Sequence, residues 1–402
     1  MRAFTDPALD VWLAVAVAGI LVFIDLRGWQ RFLRRHRQLL HEGRLQEAEA
    51  FLRRERRKVR LFVRPLMAIG FPGGLEIFSA QVYHQMGRLE EGLDMARKGA
   101  LRARSHPKLL GDALNLQVLC LADLGHYDDA RGLAARSRSL GRTEGADVAD
   151  ARTLLVQGRL DEASECGLRA AVHPRGHLGR VIASQALHCK GESRAALELL
   201  LDRPPDVRVH YAEESLRRIE RSGSARSLLE LHQKLWAGIV EPLRFLNAAI
   251  IYSDLGDLPA LRFSLDQAAG TMGGHPGLRS MHRMLEASLF AQEGDGPAAE
   301  RCLQEGREIL AGPTTRGQKA DFLRWAGRTL TRLGRWDAAQ AELDAAMAIA
   351  IHPLEKHTTR FWMARLCEAR GAGEKAAELY RSVAADGIPS RYAAEAAKAS
   401  RP

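Results

Sequence analysis

Three short stretches carry residue types that chemistry uses. In "HPRGH", His173 and His177 stand four residues apart, the spacing at which one helical face offers two imidazoles to a metal ion. Pro174 and Gly176 lie between them and deny that shared face, so no metal site is expected there. His188 adjoins Cys189, a pairing that can activate a thiolate. The reading adopted is a histidine on a helix surface beside a buried cysteine. "GPTTRGQK", from Gly312, superficially resembles a phosphate loop but lacks the Gly-Lys-Ser/Thr ending and joins two helices instead of following a strand. No H-E-x-x-H, nucleophile elbow or glycine-rich dinucleotide loop occurs. The chain is therefore expected to be neither an enzyme nor a holder of a cofactor or metal.

Composition sets the elements that remain. Among 402 residues, 46% are hydrophobic and 27% charged, which suits folded protein. Ala, Leu, Arg and Glu dominate, aromatics are 6%, and β-branched runs do not recur, so helix is expected throughout. Cys120, Cys166, Cys189, Cys302 and Cys367 are odd in number, scattered and never in a C-x-x-C pair. A disulfide framework or structural zinc does not fit, and a reducing compartment does. Of the formal charge of +10, nearly all sits between Arg27 and Arg64, where thirteen Lys/Arg face four Asp/Glu.

That basic stretch follows "VWLAVAVAGILVFI", fourteen apolar residues from Val11 to Ile24. Trp12 and Trp29 flank it at roughly 25 Å of helical rise, about the spacing of two interfacial aromatic belts. A single transmembrane helix is expected over residues 9–26, after a short tail of residues 1–8. Positive charge stays in the cytoplasm, so the N-terminus faces out of a cell (inner) membrane and the bulk of the chain faces in. Arg27, Arg31, Arg34, Arg35 and Arg37 serve that topology and offer anionic lipid headgroups a contact. No aromatic interleaving accompanies the charge, so nucleic acid is not an expected partner.

One pattern organises the rest. "HEGRLQEAEAFL", "QMGRLEEGLDMA", "DLGHYDDARGLA", "VQGRLDEASECG", "CKGESRAALELL", "DLGDLPALRFSL", "QEGDGPAAERCL", "RLGRWDAAQAEL" and "ARGAGEKAAELY" align on one glycine, and "RSGSARSLLEL" adds a degenerate tenth at Gly223. Five residues after the glycine stands a small residue (Ala48, Gly92, Ala130, Ala163, Ala196, Ala299, Ala339, Ala376), and seven before it another (Ala80, Ala151, Ser184, Ala249, Ala287, Gly327, Ala364). Small residues at those two places let paired helices approach closely. The pattern resembles the tetratricopeptide repeat (TPR), a helix–turn–helix of about 34 residues, over about Arg35 to Arg391. The resemblance implies an all-α fold: a TPR-like α-solenoid, a right-handed superhelix of about ten hairpins preceded by the transmembrane helix. Residues 27–73 form a basic juxtamembrane segment with a degenerate first repeat and an apolar linker, 74–390 the array, and 391–402 a C-terminal tail.

In that family, partners lie on the concave face, at positions thirteen, ten, six and three residues before the turn glycine. Leu243, Leu246, Ile250, Met281 and Met284 are then an apolar centre suited to a helix or peptide, and Arg324, Arg328 and Arg365 a basic continuation suited to carboxylate or phosphate. The Lys/Asn clamp by which some members hold chaperone tails is absent at these positions. The resemblance implies a membrane-anchored scaffold or adaptor for protein–protein interactions. The alternative is an accessory subunit of an integral membrane complex for envelope assembly or secretion, bound through the span and juxtamembrane segment.

Overall fold

A computed structural model describes residues 28, 31–40, 42–60, 71–141, 143–173, 176–202 and 240–400. Those residues form nineteen helices and no strand. They are α1 (31–40), α2 (Leu45–Arg60), α3 (Gly74–Gln85), α4 (Leu89–Arg102), α5 (Pro107–Asp123), α6 (Tyr127–Ser139), α7 (Thr143–Gln157), α8 (Leu160–Ala171), α9 (His177–Lys190) and α10 (Ser193–Leu201). The series continues with α11 (240–255), α12 (Leu258–Thr271), α13 (Pro276–Glu293), α14 (Gly296–Leu310), α15 (Arg316–Arg332), α16 (Trp336–Ile349), α17 (Pro353–Ala369), α18 (Gly373–Ala385) and α19 (Arg391–Ala399). The expected span at residues 9–26, Arg27 and the repeat at Gly223 lie outside the described residues. Among the described residues no helix is long and apolar enough to cross a membrane.

Consecutive helices pair into nine hairpins, α1/α2 to α17/α18, and α19 caps the last. All nine turn glycines from Gly43 to Gly371 have φ between 69° and 99°, the left-handed region that reverses a chain where a side chain would be strained. The small positions are buried where expected: Ala80, Ala151, Ala249, Ala287 and Ala364 on the first helices, Ala48, Ala130, Ala163 and Ala339 on the second. The first hairpin departs from this rule. His36 stands at its small position, buried without a hydrogen bond to either ring nitrogen and stacked on Phe32. Burial lowers its pKa to about 4. Phe32, His36 and Leu39 point into this hairpin, whereas Arg31, Arg34, Arg35 and Arg37 lie on its outer or half-buried faces.

The hairpins stack without a break from the fifth to the next described one: Ala248 and Ile251 of α11 pack directly on Val181, Ala196 and Leu200 of α9 and α10. The described residues thus supply nine of the roughly ten hairpins that the repeat spacing implies, and the tenth, at Gly223, lies outside them. The stack is also wound tightly enough to touch itself. A methyl on Gly43, in the first turn, would overlap the Gly274 carbonyl before the seventh hairpin. One on Gly87 would lie 2.6 Å from the Thr314 oxygen before the eighth. Tyr127 Oη meets His352 Nδ1 at 2.9 Å, joining the third hairpin to the ninth. Gly158 faces Ile388, just before the cap. Three times in succession a hairpin meets the sixth described hairpin after it, and the fourth meets the segment before the cap, so six described hairpins make one closed turn with a seam along it.

Candidate functional site

Closing the seam turns the concave face into a lumen. Its cavity is about 570 Å³ and is lined mainly by first helices from α3 to α17, with Leu89 of α4 and Tyr392 of the cap.

Two carboxylates organise the wall. Asp254 of α11 accepts from Arg328 of α15, from Arg391 of α19 and from His188 Nε2 of α9, the last at 2.9 Å. Because the carboxylate only accepts, His188 donates through Nε2, and its Nδ1 takes the Ser193 hydroxyl proton at 3.0 Å. Burial pushes the Asp254 carboxyl up, but Arg328, the His188 hydrogen bond and Arg391 hold it well below the usual carboxylate range. The Arg328 guanidinium lies over the rings of Trp325 (4.4 Å) and Trp362 (4.5 Å). Asp123 of α5 accepts from His84 Nε2 at 2.9 Å and Arg152 Nη2 at 3.0 Å. Burial opposes its ionisation too, and Arg152 and His84 overcome it.

Beside the second group lie Asp321, Arg324 and Glu355. Arg324 Nη2 donates to Asp321 at 2.6 Å, while its Nη1 is shielded from water without an acceptor. Glu355 accepts from the Ile351 and His352 backbone amides, both at 3.4 Å. Burial, then the Asp321 charge, push its pKa up to about 7. Among the described residues no three His, Cys, Asp or Glu come together to hold a metal.

Of the residues singled out in sequence, Leu243, Ile250, Met281, Met284, Arg324 and Arg328 line this one cavity. Leu246 does not: it is fully buried between helices. Arg365 is also outside the wall, exposed and 3.1 Å from Glu368. Arg328 is on the wall but already engaged by Asp254, so it is not an open docking charge. The lumen-facing register varies between hairpins: ten residues before the glycine, Met284 and Arg324 line the wall and Leu246 does not, while nine before it Asn247, Trp325 and Trp362 do. His188 and Cys189 are likewise reversed: His188 is buried and Cys189 half-buried. "GPTTRGQK" contains a capping box in which Thr315 accepts from the Gln318 amide at the start of α15. The carboxylate clusters were missed altogether. Their signal was the doubled "DLG" at residues 123–125 and 254–256, each with its Asp two before the turn glycine.

With this geometry in view, the likenesses to known proteins are informative about fold. No family model matches the chain, and no curated protein matches it. The structure is similar to a chain of the APC/C hetero-tetramer Cut9–Hcn1, with a TM-score of 0.53 and 13% identity over 90% of this chain. This chain spans 60% of the length of that one. Weaker likenesses are a tetratricopeptide repeat protein from Parabacteroides merdae (TM-score 0.40, 12% identity, 72% of this chain and 98% of that) and IFIT1 with Gppp-AAAA (TM-score 0.40, 14% identity, 80% and 72%). The fold is a TPR-type α-solenoid.

Proposed function

We propose that this chain is a non-enzymatic TPR scaffold that gathers partner proteins at a membrane, anchored by residues 9–26 with its array on the cytoplasmic face of a bacterial-type inner membrane. The observation that carries this reading is a long stack of paired helices joined in sequence to a fourteen-residue apolar run with basic residues after it. Such stacks present extended surfaces on which partners can dock. The arginines of α1 support the orientation, each adding roughly 1 kcal/mol near an anionic surface.

The closed seam favours keeping the second reading, an accessory subunit of a membrane complex, because it reduces the concave face to a small cavity. Removal of residues 1–27 separates the two while sparing every described hairpin. The full chain should resist carbonate extraction from membranes, and the shortened chain should be soluble yet crosslink to the same partners. Partners lost with the segment would favour the accessory subunit. Carbonate release of the full chain would end the anchor reading.

A further inference from the structure

The lumen has two unlike ends. One is apolar, with Leu243, Ile250, Met281 and Met284 on α11 and α13. The other is cationic and incompletely satisfied. Arg152 pairs with Asp123 through Nη2 only and keeps 42% of its side chain exposed. Its Nε and Arg324 Nη1 are shielded from water and lack acceptors. Both side chains line the cavity, so an anion inside it lies within their field.

The charges point the same way. Asp254 is a single negative charge held by Arg328 and Arg391, and the other two pairs, Asp123–Arg152 and Asp321–Arg324, balance. Glu355, ionising near 7, is only half charged in neutral solution. The wall thus has a surplus of positive charge. A volume of about 570 Å³ lies within the range of small-molecule sites.

We propose that the lumen binds a small organic monoanion with an apolar body, its carboxylate between Arg152 and Arg324 and its hydrocarbon against Ile250 and Met284. The proposal does not rest on the membrane reading. A guanidinium pair gives an anion charge-assisted hydrogen bonds that a neutral analogue of the same shape lacks. The apolar wall contributes in proportion to the hydrocarbon it covers.

The test is calorimetric titration of the full chain in lipid nanodiscs with 4-phenylbutyrate and, separately, its neutral amide. One saturable site per chain is expected, with the amide at least tenfold weaker. Arg152→Gln combined with Arg324→Gln should weaken phenylbutyrate at least tenfold. Ile250→Trp, which fills the apolar end and leaves the charges in place, should abolish binding of both probes and serves if the double variant does not fold. Absence of saturable binding, equal affinity for the amide, or unchanged affinity in either variant would overturn the proposal. So would tighter binding of the acetylated peptide Ala-Ala-Phe than of phenylbutyrate, which would assign the lumen to a protein C-terminus. Partner crosslinking that survives Ile250→Trp would separate the scaffold reading from this one.

Discussion

Asp123 and Asp254 occupy the same place in their hairpins, and each accepts from a histidine three residues before one turn glycine and an arginine six residues before another. Their reach differs. Asp123 ties together three consecutive hairpins through His84 and Arg152. Asp254 ties α9 and α11 to Arg328 of α15 and to Arg391 of the cap. The partners also differ in their access to water: Arg152 is 42% exposed, Arg328 only 8%. One residue pattern thus serves as a local staple in one place and as a brace across the superhelix in the other. Geometry, not residue type, sets what the carboxylate is worth.

The largest expected effect tests that contrast directly. Asp254→Ala strands Arg328 and Arg391 in a site that cannot hydrate them and should cost about 3–5 kcal/mol. Asp123→Ala should cost about 1–2 kcal/mol, because Arg152 turns to water. Urea unfolding of both variants checks this, and equal losses would erase the distinction.

Glu355 sharpens the comparison, being the lumen acid without a cation bonded to it. Its folded pKa of about 7 lies above the ordinary 4.5, so the unfolded chain gives up this proton first. Stability should fall as pH rises from about 4.5 to 7 and change no further above that. Glu355→Gln keeps an acceptor for the Ile351 and His352 amides. It should add up to about 3 kcal/mol at pH 8 and nothing at pH 4, read from melting across that range.

The seam gives the next test. Gly87 and Gly294 are both left-handed, but a methyl on Gly87 meets the Thr314 carbonyl, whereas nothing lies within 4 Å of one on Gly294. Alanine at Gly294 should cost about 1–2 kcal/mol of backbone strain, and alanine at Gly87 about 1–3 kcal/mol beyond that. Equal costs would mean that the second and eighth hairpins do not touch in solution. The smallest effect is expected from Tyr127→Phe, which removes the bond to His352 and should cost about 1 kcal/mol in the same melting assay.

The hairpins were legible because they rest on local rules. A glycine such as Gly334 must stand where the chain turns left-handed, and Ala339 must be small where α16 crosses α15. Both constraints act within one repeat, so they recur at nearly fixed spacing. The lumen was half legible. The repeat register located Ile250, Met281 and Arg324 correctly, then failed by one residue at Leu246, because helix rotation in the stack is set by neighbours.

By itself the amino-acid sequence determined the helices, their pairing and the faces they bury, since each depends on residues within about 34 positions of one another. Only the tertiary structure decided that six described hairpins complete a turn, that Gly43 meets Gly274 and that Asp254 finds Arg391. Those outcomes accumulate from small angles between successive hairpins. A few degrees per step, invisible in any one repeat, separate an open groove from a closed lumen.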